Sequence, residues 1–444
     1  MEKFTQLIVQ FNAFIWGVPM MLCIVGISLY FTVKLKFFQR HLFRAISLSL
    51  KESRSAGAIS SFGALVVALA AMVGTGNIVG VAAAVSTGGP GALFWMMLCA
   101  FFAMATKYAE AVLAVKYREK NSKGEMVGGP MYVLKNGLGF KKWAIVFAAA
   151  TALMGFADAL IQTNSLVAVY HSVLQAPAVL TTGVLLGLTA AVILGGIKQI
   201  AAVCKYLVPF MAILYITVCL IIIALHIDQI PWALACIFKS AFRGTAVVGG
   251  AIGITLQHAI RYGVARGVLS NEAGSGSGAI AAAAAQTPNS VRQGLVSATT
   301  VFWDTLVICL VSGITVVLAG DWQSGTLFGA DLAQNAFSHL PAGSYLLLAS
   351  LSLFAFSTLV GWSYYTAKSV EYCVGINVEK WVYIAWLVMM CVGGFLRSDL
   401  VWELADTAIA VMCVPNLVSL WLLRKDVLTE TKTYLEAELR FARK

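Results

Sequence analysis

The chain of 444 residues is 60% hydrophobic and 11% charged, with a net charge of +11. Soluble domains carry about twice that charge fraction. The basic residues lie between apolar runs instead of lining one helix face, which excludes a nucleic-acid stripe and points to the positive-inside bias of membrane proteins.

Apolar stretches long enough to cross a bilayer as helices fall at about 13–33, 58–86, 90–118, 143–172, 178–196, 200–226, 246–286, 293–319, 342–367, 379–397 and 401–423. Eleven transmembrane segments of an all-α polytopic membrane protein are therefore expected. The first is longer than a signal-peptide core, lacks a small-residue cleavage site and precedes Lys34, Lys36, Arg40, Arg44, Lys51 and Arg54. It reads as a retained helix with its N-terminus outside.

Counting alternate sides, Lys116, Arg118, Lys120, Lys123, Lys135, Lys141 and Lys142 share a face with that basic loop. So do Lys198, Lys205, Arg292, Lys368, Lys380, Arg424 and Lys425. The opposite loops hold Asp228, Asp321, Asp331 and Asp399, with Lys239, Arg243 and Arg397 as their chief cations. A multi-pass protein of the inner (plasma) membrane with a cytoplasmic C-terminus is the expectation. The tail 424–444 mixes charges with Val427, Leu428, Tyr434, Leu435, Leu439 and Phe441 and reads as a short amphipathic surface helix.

Two segments break the apolar pattern. The second carries Val73-Gly74-Thr75-Gly76-Asn77 halfway across, and the seventh carries Ser270-Asn271-Glu272-Ala273-Gly274-Ser275-Gly276-Ser277-Gly278. Each interior glycine costs a helix up to about 1 kcal/mol relative to alanine, so locally unwound backbone is predicted. At membrane depth such backbone survives only where it lines a cavity or is buried in protein. With the first helix set aside, the breaks fall in helices one and six of ten, as in two inverted five-helix repeats. The expected organisation is a peripheral helix and basic loop over 1–57, one repeat over 58–226, a second over 227–423 and the tail over 424–444.

Chemistry elsewhere is sparse. The nine cysteines form no C-x-x-C pair and the five histidines no H-x-x-x-H pair, so no bound transition metal and no cofactor is expected. No P-loop is present, and no Ser/His/Asp or His/Glu spacing supports an intramembrane enzyme. A pair of breaks instead of a repeated filter motif argues against a channel.

Gly74 to Ala82, Gly88 to Met96 with Ala105-Thr106-Lys107-Tyr108-Ala109-Glu110, Gly263 to Gly267 running into Ser270-Asn271-Glu272-Ala273-Gly274, and Phe356-Ser357-Thr358 with Gly361-Trp362-Ser363-Tyr364-Tyr365 stand in one order. This pattern resembles the alanine or glycine:cation symporter family, also called the sodium:alanine symporters, over about residues 55–420. One departure is Met97, where the family has tryptophan. The resemblance implies a LeuT-type fold and secondary transport of small neutral amino acids (alanine, glycine, D-alanine or serine) driven by Na⁺.

The residues give that expectation physical content. A substrate carboxylate suits the exposed N–H groups where the second half of a broken helix begins, at Thr75, Gly76 and Asn77. The alternative there is a GxxxG packing surface from Gly76 to Gly80. Ser270, Asn271 and Gly274 with Leu269 as a wall are the matching set from the seventh segment, beside Ser275. Gln162 is a second hold on the carboxylate, and Asn164 on another face reads as a helix–helix hydrogen bond. Trp362 is expected to exclude bulky side chains.

A sodium site is expected from Ala70 and Val73 carbonyls with the Ser357 and Thr358 hydroxyls, a pairing the resemblance supports; by themselves two such hydroxyls are more often backbone-bonded. Glu272 is expected to pair with Arg266 and hold the break. Asp158, one turn before Gln162, stays open as a cation, proton or pairing group; a proton-coupled carrier would use Asp158 or Glu272. Asp304, Lys107 and Glu110 read as structural groups near segment ends. A lipid bilayer and an amino acid are the expected partners, with no nucleic acid; the oligomeric state is open, and one copy suffices for transport.

Overall fold

Leu, Ile, Val, Ala and Phe dominate the long runs, and in lipid their backbone amides have no partner but the chain itself. The computed structural model is accordingly helical nearly throughout the residues described, 2–51, 55–243, 256–395 and 399–442. In chain order the first helices are α1 (Glu2–Ile15), α2 (Val18–Lys34), α3 (Leu42–Leu50), α4 (Ser61–Met72), α5 (Val79–Gly88), α6 (Gly91–Lys116) and α7 (Pro130–Tyr132). Next come α8 (Lys141–Leu174), α9 (Ala178–Ile193), α10 (Gly196–Leu225), α11 (Ile230–Arg243), α12 (Leu256–Asn271) and α13 (Gly278–Ala283). The last are α14 (Ser290–Val301), α15 (Leu310–Ala319), α16 (Gly329–Ser338), α17 (Gly343–Val374), α18 (Glu379–Gly393), α19 (Asp399–Leu422) and α20 (Arg424–Ala442). Caps set several starts: Ser60 accepts the Gly63 amide at 3.0 Å before α4, and Asn289 the Arg292 amide at 2.8 Å before α14.

Seven helices among the described residues are long and apolar enough to cross a bilayer: α6, α8, α10, the continuous Ser290–Ala319 helix, α17, Ile376–Gly393 and Val401–Leu422. Two bent pairs pass the same test together, α2 with Phe38–Leu50 at 66° and α4 with Thr75–Gly88 at 67°. α9 is apolar but shorter. Of the expected 246–286 segment, residues 246–255 lie outside the described residues, as do Arg54 and Arg397 in the loops. Regions read as plain loops contain the amphipathic helices α11 and α16, whose buried faces (Ala233, Ile237 and Ala241 in α11) repeat at helical spacing but are too short to span.

The core lies where α17 and α8 pack side by side, with α4, α10 and α19 around them. The described residues also form four two-residue strands: β1 (Ile59–Ser60), β2 (Glu119–Lys120), β3 (Met126–Val127) and β4 (Ala285–Gln286). β2 and β3 form a hairpin, while β1 and β4 pair in parallel and tie the start of α4 to the end of α13.

Candidate functional site

α4 ends at Met72, the Val73 amide still reaching the Leu69 carbonyl at 2.8 Å but the next one turning elsewhere. The Gly74 amide donates to the Asn77 side-chain oxygen at 3.0 Å, in place of the Ala70 carbonyl that a continuous helix would use. Val73 and Gly74 are extended, Thr75–Asn77 makes one tight turn, and α5 departs at 67°. α12 stops at Asn271, and residues 272–277 cross to α13 without helical structure. Glu272 takes a left-handed φ of +51° and Gly274 one of +98°. The Asn271 side-chain oxygen accepts the Ala273 amide at 3.0 Å, closing the turn. At each glycine-rich stretch one helix ends and another begins a few residues on.

The first break faces α17. The Ser357 and Thr358 hydroxyls each lie 3.4 Å from the Val73 carbonyl oxygen while bonding back to Phe354 at 2.8 and 3.0 Å. Glycine makes this approach possible. A β-carbon on Gly74 would stand 2.8 Å from the Thr358 hydroxyl, and one on Gly361 would stand 2.6 Å from the Ala71 backbone nitrogen. Gly361→Val is accordingly expected to destabilise the protein by about 1–3 kcal/mol through overpacking, read as a lowered thermal unfolding midpoint in detergent.

The break's other side meets α12 and the helix of residues 290–319. The Asn77 amide donates to an Asp304 carboxylate oxygen at 2.7 Å and to the Ser270 hydroxyl at 3.2 Å. Ser270 and Thr305 each donate to the second Asp304 oxygen at 2.7 Å. All these groups are buried. Asp304 sits in a π-helical stretch, Phe302–Cys309, a distortion frequent at functional sites. Its hydrogen-bond partners Asn77, Ser270 and Thr305 are all neutral. Asp304 was expected near a segment end, and that position is corrected: it is buried mid-helix beside the first break, and its place midway along an apolar run was the overlooked signal.

Gln162 joins the cluster from α8. Its carbonyl oxygen lies 3.4 Å from the Thr75 hydroxyl and its amide donates to Asp158 at 3.1 Å, leaving the other Asp158 oxygen buried without a partner. Asn164 points away and bonds the Gly393 carbonyl at 3.2 Å. Thr75 is half-buried and Gly76 exposed. Leu269, Glu272, Ser275 and Trp362 line a cavity of only about 10 Å³, room for about one water molecule.

Glu272 and Arg266 form no ion pair: Arg266 is exposed and its charge neighbour is Asp406. The Glu272 carboxylate instead accepts the Ser277 hydroxyl. Lys107 of α6 fills the position assigned to Arg266, donating to the Glu272 carbonyl at 2.9 Å and lying 3.9 Å from Glu110. Glu110 accepts the Gly274 amide and the Asn416 amide, both at 2.8 Å, and Asn416 also donates to the Gly274 carbonyl at 2.8 Å. Gly274 thus has both backbone groups occupied, and a β-carbon there would meet Ile24 and Leu417. Lys107 and Glu110, buried in the C-terminal half of α6, hold the second break, in keeping with the structural role read for them.

A family model for the sodium:alanine symporters matches residues 1–442. The chain is 44% identical to the sodium/alanine symporter AgcS of Methanococcus maripaludis, over 98% of each protein. It is 35% identical to the probable sodium/glutamine symporter GlnT of Bacillus subtilis, over 95% of this chain and 89% of that one. Among solved structures, MhsT in complex with L-phenylalanine aligns with a TM-score of 0.62 at 14% identity, covering 85% of this chain and 93% of that one. At that identity the likeness speaks of the fold alone.

Proposed function

The chain belongs to the sodium:alanine symporter family, and from that premise we propose that it takes up small neutral amino acids by coupling them to Na⁺ through alternating access. It is a multi-pass membrane transporter of amino acids with a LeuT-type fold, and not an enzyme. In the proposed arrangement α4–α5 and α12–α13 are the broken first and sixth helices of two five-helix repeats behind α2. Eleven crossings then leave the N-terminus outside and the C-terminus in the cytoplasm.

One observation carries the sodium reading: three oxygens, from Val73, Ser357 and Thr358, converge at a helix break. Two oxygens at right angles around an ion about 2.4 Å away stand about 3.4 Å apart, the radius being taken by analogy with a calcium-sized cation. The Ala70 carbonyl, released by the turn at Gly74, is the fourth candidate. A substrate carboxylate would meet the amides of Thr75 and Gly76, which begin their turn and have no intrahelical acceptor, together with Gln162. Leu269 and Trp362 would close the pocket on small side chains. Asn77, Ser270 and Asn271 would act from behind, shaping the backbone the substrate touches. Among the described residues Asp304 has no cationic partner. A buried carboxylate without a counter-charge is costly, so it is suited to a second monovalent cation.

Purified protein in proteoliposomes should accumulate alanine under an inward Na⁺ gradient and fail to do so when choline replaces Na⁺. Thr358→Val should raise the half-saturating Na⁺ concentration about tenfold, one lost charge-assisted contact being worth about 1.5 kcal/mol. Accumulation indifferent to Na⁺ would refute the reading. A proton-driven carrier has one observation in its favour, the unpartnered Asp158 oxygen. It requires Asp158→Asn to abolish the pH dependence of uptake.

A further inference from the structure

Lys34, Lys36, Arg40 and Arg44 were assigned above only a topological role, yet the structure gathers them around one opening. After α2 the chain turns sharply, with Lys36 and Phe37 at left-handed φ of +55° and +56°. Gln39 fixes the turn, its amide donating to the Thr32 hydroxyl at 3.1 Å and the Phe101 carbonyl at 3.0 Å. α20 closes the other side, held to α6 by Lys116, which lies 3.6 Å from Asp426 and 3.3 Å from Glu430, and by the Tyr108 hydroxyl 2.7 Å from Thr431. Between them lies a cavity of about 410 Å³. Its rim carries the four cations above and its floor is Tyr108, Leu295 and Leu428. Glu436 also lines it, beside Lys432 at 3.8 Å. The lining is therefore strongly cationic at the mouth and apolar below.

The setting fits a bilayer interface. α3 leaves α2 at 66° and exposes Phe43 and Leu50 by 84% and 67%, an amphipathic helix suited to the headgroup boundary. Trp421 at the end of α19 meets Tyr30 of α2 edge-on at 5.2 Å, aromatic residues of the kind enriched at that level. A soluble anion has no use for the apolar floor, and an acyl chain alone has none for the cations. We propose that this cavity binds an anionic phospholipid, its phosphate among Lys34, Lys36, Arg40 and Arg44 and its glycerol and upper acyl chain against Leu295 and Leu428. The lipid would bridge α2, α3 and α20, none of which carries a residue assigned above to substrate or sodium. Basic pockets beside transmembrane helices recognise anionic headgroups in this way.

The test is native mass spectrometry of the full-length protein extracted from vesicles of phosphatidylcholine and phosphatidylglycerol in a 7:3 ratio. Retained phosphatidylglycerol should exceed phosphatidylcholine about tenfold or more over the input ratio, each interfacial Lys or Arg strengthening such binding about fivefold. Lys36→Gln/Arg40→Gln/Arg44→Gln should reduce that preference to about twofold or less. Lys141→Gln/Lys142→Gln/Lys380→Gln, which removes equal charge outside the cavity, should leave it intact. Should the first triple variant not fold, Lys36→Gln alone must weaken the preference and Arg40→Lys/Arg44→Lys must keep it. No preference in the unaltered protein, equal loss in both triple variants, or displacement of the lipid by inorganic phosphate would each overturn the proposal, the last by making this a soluble-anion site. The readout is lipid retention, so it stands or falls separately from sodium-coupled uptake.

Discussion

Asp304→Asn should fold and reach the membrane, yet lose sodium-driven alanine uptake by about a hundredfold or more. Asparagine keeps the shape and one acceptor oxygen, so the Ser270 and Thr305 hydroxyls or the Asn77 amide retain part of their bonding. What disappears is the negative charge at the junction of both breaks. A hydrogen bond to a charged group contributes about 1.5–3 kcal/mol, and two such losses amount to a factor of at least about 10². Uptake against Na⁺ concentration should also become less steep if Asp304 holds a second ion. Monodisperse elution in detergent with uptake at the unaltered level would remove Asp304 from the machinery. Poor folding would assign the carboxylate to structure, and Asp304→Glu rescue would then separate charge from shape.

The two glycine-dense stretches were legible because glycine at that density is costly inside a helix, although Gly76 to Gly80 also fitted a packing surface. Thr75 and Gln162 were legible as polar residues within apolar runs, whereas the pairing of Ser357 and Thr358 with the first break and the pocket role of Trp362 came from the family resemblance. Asp304 was not legible, having been judged by its distance from the end of a run, while depth depends on where the helix sits against its neighbours. Lys107 and Glu110 were read as structural, but nothing in the sequence joined Asn416 to them. Arg266 misled in the opposite way, since nearness in sequence to Glu272 does not survive the left-handed turn at that residue. The amphipathic helices α3, α11 and α16 escaped a search for spans, having apolar faces but not apolar lengths. The parallel strand pair escaped too, because two residues on each side carry no periodicity to detect.

That strand pair underlies the other large effect expected, for Arg118→Ala. Ile59–Ser60 and Ala285–Gln286 join the ends of the two interrupted helices on the side the charge bias assigns to the cytoplasm. Arg118, just beyond α6, clamps the joint. Its guanidinium donates to the Ala283 and Ala285 carbonyls at 3.0 and 2.8 Å and to the Ala56 carbonyl at 3.1 Å. The Gln286 amide adds a bond to the Gly57 carbonyl at 3.3 Å. In the alternating-access cycle proposed above, release of substrate to the cytoplasm would require these ends to part, and the joint would then act as a latch against opening on that side. Three bonds from a cation, at about 1.5 kcal/mol each and partly exposed to competing water, bias the equilibrium by about 3 kcal/mol, or roughly a hundredfold. Arg118→Ala should therefore raise the reaction rate of a membrane-permeant thiol reagent with Ala68→Cys, in a background stripped of native cysteines, by about tenfold or more. Coupled accumulation of alanine should fall at the same time, because a latch that no longer holds lets the two gates open out of turn. Arg118→Lys, which keeps the charge but not the forked geometry, should fall between. Labelling that stays at the unaltered rate while accumulation drops would place Arg118 in folding instead of gating.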